Sequence, residues 1–277
     1  MEKLLLGSPV AEYLDKKSLI IFNKYEKNNE KKATLGAITV GHDPASILYV
    51  ERKQEKAKKL NVDFTWKKLD EDSSLENVID AIEELKGLEG LILQLPVPFH
   101  LDKDKLIDLI PPNIDVDGLN SSNLGLLFDE NPHVIPATAR AIIEIFNYYK
   151  IDIFGKDIAI LGRSRLVTAP LARLLSTQKH NATVTVLHSK SKNINDIIKR
   201  SDVVISAIGK PYFLNQTHFK EGSIVIDVGI SKKDNKSYGD IDPSNTNEIL
   251  YARSPYPGGV GPVTVSSLYA NLSELIS

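Results

Sequence analysis

A tyrosine hydroxyl and a lysine amine stand four residues apart in GHDPASILYVERK, residues 41–53. Asp43 is a suitable N-cap, Pro44 suits a first helical position, and no Gly or Pro interrupts residues 46–60, so a helix is expected there. On it Tyr49 and Lys53 project from one face, about one turn apart. Ile47, Val50, Ala57 and Leu60 form a separate apolar stripe that can seat the helix on a sheet. A phenol beside an amine on a rigid element can handle protons. The competing reading is a surface lysine among Lys56, Lys58 and Lys59. Gln94 is a second candidate, an amide near the end of the otherwise apolar GLILQLP (90–96). The PVP that follows stops the strand and stiffens its exit, which suits a fixed pocket wall; an amide that merely satisfies a neighbouring loop is the alternative. The third is the carboxylate pair Asp115 and Asp117 in IPPNIDVDGLNSSNLG (110–125). Before Gly118 they read either as an Asp-Gly turn, or as a turn in which one carboxylate accepts two parallel donors from an amidine-like or aminopyrimidine edge.

Composition limits the chemistry these groups can belong to. The chain has 277 residues, 42% hydrophobic and 25% charged, the proportions of an ordinary globular protein, and its length fits two domains. With 34 Lys plus Arg against 36 Asp plus Glu, the net charge is −2, so no global basic field is available for nucleic acid or a membrane surface. There is no cysteine, which removes disulfides, thiol nucleophiles, Cys-zinc sites and iron–sulfur clusters. No apolar run approaches the ~20 residues of a membrane span, and MEKLLLGSPVAEYLDKK lacks the apolar core and cleavage site of a signal peptide. A cytoplasmic, metal-free enzyme or binding protein is expected.

Alternating elements must position the candidates. Residues 10–27 read as a helix, TLGAITVG (34–41) as a buried strand feeding the Tyr49/Lys53 helix, VDFTWKKL (62–69) as a strand, LENVIDAIEEL (75–85) as an amphipathic helix, and residues 90–96 as a third strand. This order predicts a parallel sheet with helices on its faces. Ligands gather at the carboxyl ends of such strands, which places Lys53 and Gln94 near one rim. Asn120, Ser121, Ser122 and Asn123 read as a polar interdomain connection, and residues 138–150 as a helix capped by Thr138.

The second half carries a dinucleotide-binding pattern. DIAILG (157–162) runs into a loop and then a helix over about 166–178, the arrangement that receives phosphates at a helix N-terminus. The full GxGxxG fingerprint is absent, since Gly162 is the loop's one glycine. The next strand, TVTVLHSK (183–190), ends in His188, Ser189 and Lys190, with Arg163 in the first loop. An NAD site usually carries Asp or Glu near that end; here a 2′-phosphate is welcomed, which favours NADP. DVVISAIGKP (202–211) and GSIVIDVGI (222–230) supply two more strands, each ending in glycine, and YGDID (238–242) reads as a turn. SPYPGGVGP (254–262) reads as a shaped loop with close backbone approach to a ligand, ahead of a last helix over about 263–276 that packs on the first domain.

VGHDPASILYVERK, GLILQLPVP, DVDG, GKDIAILGRSRLV, ATVTVLHSK, SDVVISAIGKP, IVIDVGI and PGGVGP follow one another in the order and spacing of the bifunctional methylenetetrahydrofolate dehydrogenase/methenyltetrahydrofolate cyclohydrolase family, which the chain resembles along nearly its whole length. The resemblance implies an α/β fold of two domains with a cleft between them: a three-layer α/β catalytic, folate-binding domain of residues 1–137 plus 264–277, and a Rossmann-like NADP-binding domain of 138–263 with 138–150 as a bridging helix. It implies NADP-dependent oxidation of 5,10-methylenetetrahydrofolate, hydrolysis of the methenyl product to 10-formyltetrahydrofolate, and a homodimer built through the NADP domain, with tetrahydrofolate derivatives as ligands and neither nucleic acid nor membrane as partner. By position, Tyr49 resembles the tyrosine stacking on folate, Lys53 the catalytic lysine, Gln94 its hydrogen-bonding partner and Asp117 the carboxylate on the pterin edge. Gly258, Gly259 and Pro262 resemble the loop beside folate. Gly162 keeps the glycine of the cofactor loop, Arg163, Ser164 and Ser189 resemble the cofactor phosphate site, and Ile230 resembles a backbone contact near the nicotinamide ribose.

The sequence departs from the family's pattern in several places. Ile114 stands where Lys usually precedes DVDG, Ala137-Thr138-Ala139 stands for CTP, Thr168 replaces a glycine of the cofactor loop, and Leu6-Gly7-Ser8 stands for DGK. Short-chain dehydrogenases also use Tyr-x-x-x-Lys, but their nucleotide fingerprint precedes that pair. Shikimate dehydrogenases share the two-domain arrangement without LQLPVP or PGGVGP. A catalytically silent folate- or NADP-binding protein is the rival from another class, and the retained Lys53, Gln94 and Asp117 speak against it.

Overall fold

Strand and helix alternate almost throughout the computed structural model, which describes residues 2–233, 236–244 and 246–277. The chain opens with β1 (Lys3–Leu4), α1 (Gly7–Asn29), β2 (Thr34–Val40), α2 (Pro44–Lys59), β3 (Asp63–Leu69), α3 (Leu75–Leu85) and β4 (Gly90–Leu93). Three helices follow, α4 (Lys103–Leu109), α5 (Ser121–Phe128) and α6 (Ala137–Tyr149). Then come β5 (Asp157–Leu161), α7 (Thr168–Leu175), β6 (Thr183–Leu187), α8 (Ile194–Arg200), β7 (Val203–Ser206) and β8 (Ile224–Asp227). A hairpin of β9 (Ser231–Lys233) and β10 (Lys236–Tyr238), then β11 (Ala252–Arg253) and α9 (Val260–Leu275), complete it.

The chain divides into two compact units, residues 12–137 with 265–277 and residues 1–11 with 138–264. The first holds a parallel three-stranded sheet in the order β3-β2-β4. Along β2 every residue after Thr34 is buried, as a parallel strand covered on both faces requires. α2 begins where the sequence predicts: Asp43 Oδ2 accepts from Ser46 N at 2.8 Å, with Pro44 in the first turn. Its Val50 and Ala57, and Leu60 after it, pack with Leu35, Ala37 and Ile92 of the sheet and Leu268, Tyr269 and Leu272 of α9. α3 starts at a Ser74/Asn77 capping box and buries Val78, Ala81, Ile82 and Leu85 at helical spacing. The second unit holds a parallel six-stranded sheet in the order β1-β11-β8-β7-β5-β6, with Ala159, Leu161, Leu187, Val204 and Val225 in one apolar cluster with Ile198 of α8. Among the described residues, no helix is long and apolar enough to cross a membrane.

Several expectations change in detail. Residues 1–11, placed by the sequence reading with the catalytic domain, cluster with the six-stranded unit. β1 pairs there with β11, Gly7 N donates to Gly258 O at 2.8 Å, and the Tyr149 hydroxyl donates to Leu6 O at 2.9 Å. Asn120–Asn123 is no interdomain crossing: Asn120 caps α5, accepting from Ser122 N at 2.7 Å. α6 already begins at Ala137, so Thr138 lies in its first turn rather than at its cap. β4 ends at Leu93, one residue before Gln94, and β6 ends at Leu187, before His188, Ser189 and Lys190. α4 and α8, seven residues each, fall below the length at which hydrophobic period is legible.

Candidate functional site

Two turns of α2 and the exit of β4 bring the first candidates together. Lys53 is buried, 9% exposed, and its Nζ donates to Gln94 Oε1 at 3.0 Å. Gln94 Nε2 donates to Leu95 O at 2.8 Å. A carbonyl can only accept, so that bond turns the amide oxygen toward the lysine. Gln94 N bonds Ile38 O of the neighbouring strand at 2.9 Å, and the Leu95–Pro96 peptide is cis. The amide thus stands on the sheet's carboxyl rim. Burial pushes the Lys53 ammonium below its ordinary pKa, and the charge of Asp117 opposes part of that shift. Tyr49, half-buried on the same face, has the Arg52 guanidinium 6.0 Å from its ring centroid.

Structure separates the roles of the two carboxylates. Asp115 is the buried one, at 2% exposure. It accepts from Gly118 N at 3.0 Å, Asn120 N at 2.8 Å and Asn123 Nδ2 at 3.0 Å, and burial raises its pKa to about 6. Asp117 is half-buried and carries the charge that Lys53 feels. Gly118, directly after Asp117, takes φ +70°, and a Cβ there would lie 2.9 Å from Pro136 N, so the turn requires glycine. Ile114 sits in the apolar cluster with Leu91 and Leu106, and its carbonyl accepts from Leu91 N at 2.7 Å.

In the six-stranded unit a pocket of about 330 Å³ opens at the carboxyl ends of β5, β6 and β7. Gly162, Arg163, Ser164, His188 and Ser189 line it, with Ile208, Lys210 and Phe213 opposite. Gly162 takes φ +117°, and a Cβ would fall 2.9 Å from Ala207 O; this close approach lets the backbone lie against a ligand. Arg163, Ser189 and Lys190 are exposed and no carboxylate lines the pocket, which fits the 2′-phosphate of NADP. Thr168 is buried at the start of α7, its Oγ1 donating to Ser164 O at 3.4 Å; it packs behind the loop without walling the pocket. Ile230 is not among the walls. Gly258, Gly259 and Pro262 belong to the same unit, with Gly259 packed against Pro255 O and Pro262 in the first turn of α9.

Sequence reasoning missed Lys210 and Phe213, whose ammonium and ring lie 5.5 Å apart; the signal was a basic and an aromatic residue just past a buried strand. It also missed Asp227 and Asp240, buried carboxylates inside segments read as strand and turn.

Two family models match the chain. Residues 5–117 match the tetrahydrofolate dehydrogenase/cyclohydrolase catalytic domain, and residues 136–277 its NAD(P)-binding domain. A bifunctional protein FolD from Acholeplasma laidlawii is 42% identical over 88% of this chain and 89% of its own. The bifunctional FolD structure from Campylobacter jejuni superposes with a TM-score of 0.94 at 30% identity, over 100% of this chain and 99% of that one. The Trypanosoma brucei FolD, solved with NADP cofactor and inhibitor, superposes with a TM-score of 0.94 at 30% identity, over 99% and 97% of the two chains.

Proposed function

The chain belongs to the tetrahydrofolate dehydrogenase/cyclohydrolase family, and from that premise we propose that Lys53, Gln94, Tyr49 and Asp117 carry its chemistry while Gly162, Arg163, Ser164 and Ser189 hold its cofactor. It is a bifunctional enzyme: NADP-dependent oxidation of 5,10-methylenetetrahydrofolate to the 5,10-methenyl cation, then hydrolysis to 10-formyltetrahydrofolate. NADP supplies the hydride acceptor when bound.

The observation that carries the residue assignment is the partly buried hydrogen bond from Lys53 to Gln94, with the charge of Asp117 acting on the same lysine. A methenyl cation repels an ammonium, so the lysine works as a neutral amine. Burial already favours that form, and the substrate's charge favours it further. Gln94 Oε1 takes one amine hydrogen, which orients the nitrogen lone pair toward the water that adds to the cation. Removal of a proton from that water lets the ring open to the formyl product. Asp117 accepts the paired donors of the pterin edge, and Tyr49 provides the stacking face for folate. Gly258, Gly259 and Pro262 are assigned to folate and Ile230 to the cofactor ribose, supported by the exposure of Gly258, Pro262 and Ile230 and by the buried Gly259 that shapes the loop. A cytoplasmic homodimer that binds no nucleic acid completes the reading, consistent with the net charge of −2; light scattering checks the oligomeric state.

The test is a paired assay on the purified protein. Methylenetetrahydrofolate is supplied with NADP⁺ or NAD⁺ and reduced cofactor is followed; the decay of added methenyltetrahydrofolate is followed separately. Both signals, with NADP⁺ preferred, are expected. Reduction without methenyl decay would leave a dehydrogenase alone and point to the segment around Ile114. Absence of both would leave a folate- or NADP-binding protein.

A further inference from the structure

We propose that Asp240, braced by Asp227, is a positioning residue for the cofactor: its carboxylate holds the 206–210 turn in the shape that walls the pocket. The inference rests on the assignment of that pocket to NADP. Asp227 ends β8 and Asp240 follows β10; they are 4% and 0% exposed. Asp240 Oδ2 accepts from the Ser206 hydroxyl at 2.7 Å and from Ile208 N at 2.8 Å, and Oδ1 accepts from Lys210 N at 2.8 Å. Ile208 and Lys210 are walls of the pocket, and Gly209 between them takes φ +64°. One side chain therefore sets the path of the turn from behind, without itself facing the ligand.

The chemistry of the contact is specific. Two backbone N–H groups and a hydroxyl converge on Asp240, and an N–H cannot accept, so an acceptor-only group is required. An asparagine would turn its NH₂ toward either Ile208 N or Lys210 N, whichever way it flipped. Asp227 fixes where this carboxylate stands. Its Oδ1 accepts from Asp240 N at 3.0 Å and its Oδ2 from Ile241 N at 3.1 Å, and its own N–H is held by Ser254 Oγ at 2.8 Å. Two glycines make room for the pair. A Cβ on Gly229 would fall 2.0 Å from Asp240 Cγ, and one on Gly239 would fall 2.0 Å from Asp227 Oδ2. Two carboxylates side by side in a core are a poor way to gain stability when apolar packing would serve. Their position directly behind a pocket wall supplies the reason for them.

The experiment is calorimetric titration of NADP⁺ into the full-length protein and its Asp240→Asn variant, with hydrolysis of added methenyltetrahydrofolate measured in parallel. Asp240→Asn is expected to weaken NADP⁺ roughly tenfold or more at unchanged stoichiometry, while hydrolysis, which consumes no cofactor, stays at the wild-type rate. A partly unfolded variant would instead lower the number of sites and leave the dissociation constant of the remainder unchanged; that result, or unchanged affinity at full stoichiometry, overturns the proposal. If Asp240→Asn does not fold, Ser206→Ala removes one donor from the same carboxylate. A two- to fivefold loss of affinity is then expected, and unchanged affinity overturns the proposal. A wild-type protein that binds NADP⁺ without turnover would sink the functional reading and leave this comparison intact; one that does not bind NADP⁺ sinks both.

Discussion

The decisive residue is Lys53, because an amine buried to 9% exposure is held against its own solvation. A lysine whose pKa is lowered by burial destabilises the fold at neutral pH, because the unfolded chain holds that proton more tightly than the folded one. The deficit shrinks as pH rises from the depressed pKa toward the ordinary 10.5. Lys53→Met, of similar length, is therefore expected to raise the melting temperature at pH 7 by roughly 2–6 °C. The same change should cut methenyl hydrolysis by at least about a hundredfold and leave NADP⁺ affinity intact. In the wild type, hydrolysis should rise with pH through an ionisation below the normal lysine range. A flat profile there would sink the neutral-amine mechanism.

At the scale of elements, α9 does more than close the chain. The Tyr269 hydroxyl donates to Lys53 O at 2.6 Å, and Asn271 Nδ2 donates to Val116 O at 2.8 Å and Ile135 O at 2.9 Å. Two of these bonds end on backbone at or beside positions proposed for the chemistry: Lys53 itself, and Val116 in the turn that carries Asp117. The apolar pattern of α9 explains its burial but not these three bonds. Asn271→Ala would strand one buried and one partly buried carbonyl, a loss of about 1–3 kcal/mol in urea unfolding. It is also expected to raise the KM for methylenetetrahydrofolate more than it lowers kcat, since the Asp117 turn loosens while Lys53 stays in place. An equal effect on both constants would show that the turn is held by other contacts.

At the scale of the molecule, each unit buries one carboxylate that would rather be protonated. Asp115 in the first and Asp227 in the second are both raised to about 6, mainly by burial. Each keeps a proton in the folded state where the unfolded chain, at 3.8, has released it. Their contribution to stability is therefore full below about pH 4 and falls as pH rises to about 6, by on the order of 2–3 kcal/mol each. Stability followed against pH should show this downward slope, and Asp115→Asn should remove its share between pH 4 and 6. A variant with the wild-type slope would mean that Asp115 stays ionised throughout.

Much of this protein is written in local pattern. Mostly apolar runs at 34–40, 90–93, 157–161 and 224–227 mark strands, and Asp43-Pro44 marks the start of α2, because strand patterning and helix capping are written in neighbours along the sequence. Helical period alone puts Tyr49 and Lys53 on one face, and the resemblance of ordered motifs names the family. Other features are settled only when distant segments meet. The two-residue β1 carries no period, and it joins the six-stranded sheet because β11 offers it an edge. Asp115 and Asp117 are alike in sequence, and only three converging donors make the first a buried brace and leave the second beside Lys53. Asp240 reads as a turn residue until the 206–210 backbone folds onto it. Period and capping are short-range and survive in the linear chain; burial, pKa and the satisfaction of a carboxylate depend on groups brought together from far along it, and these the tertiary structure alone decides.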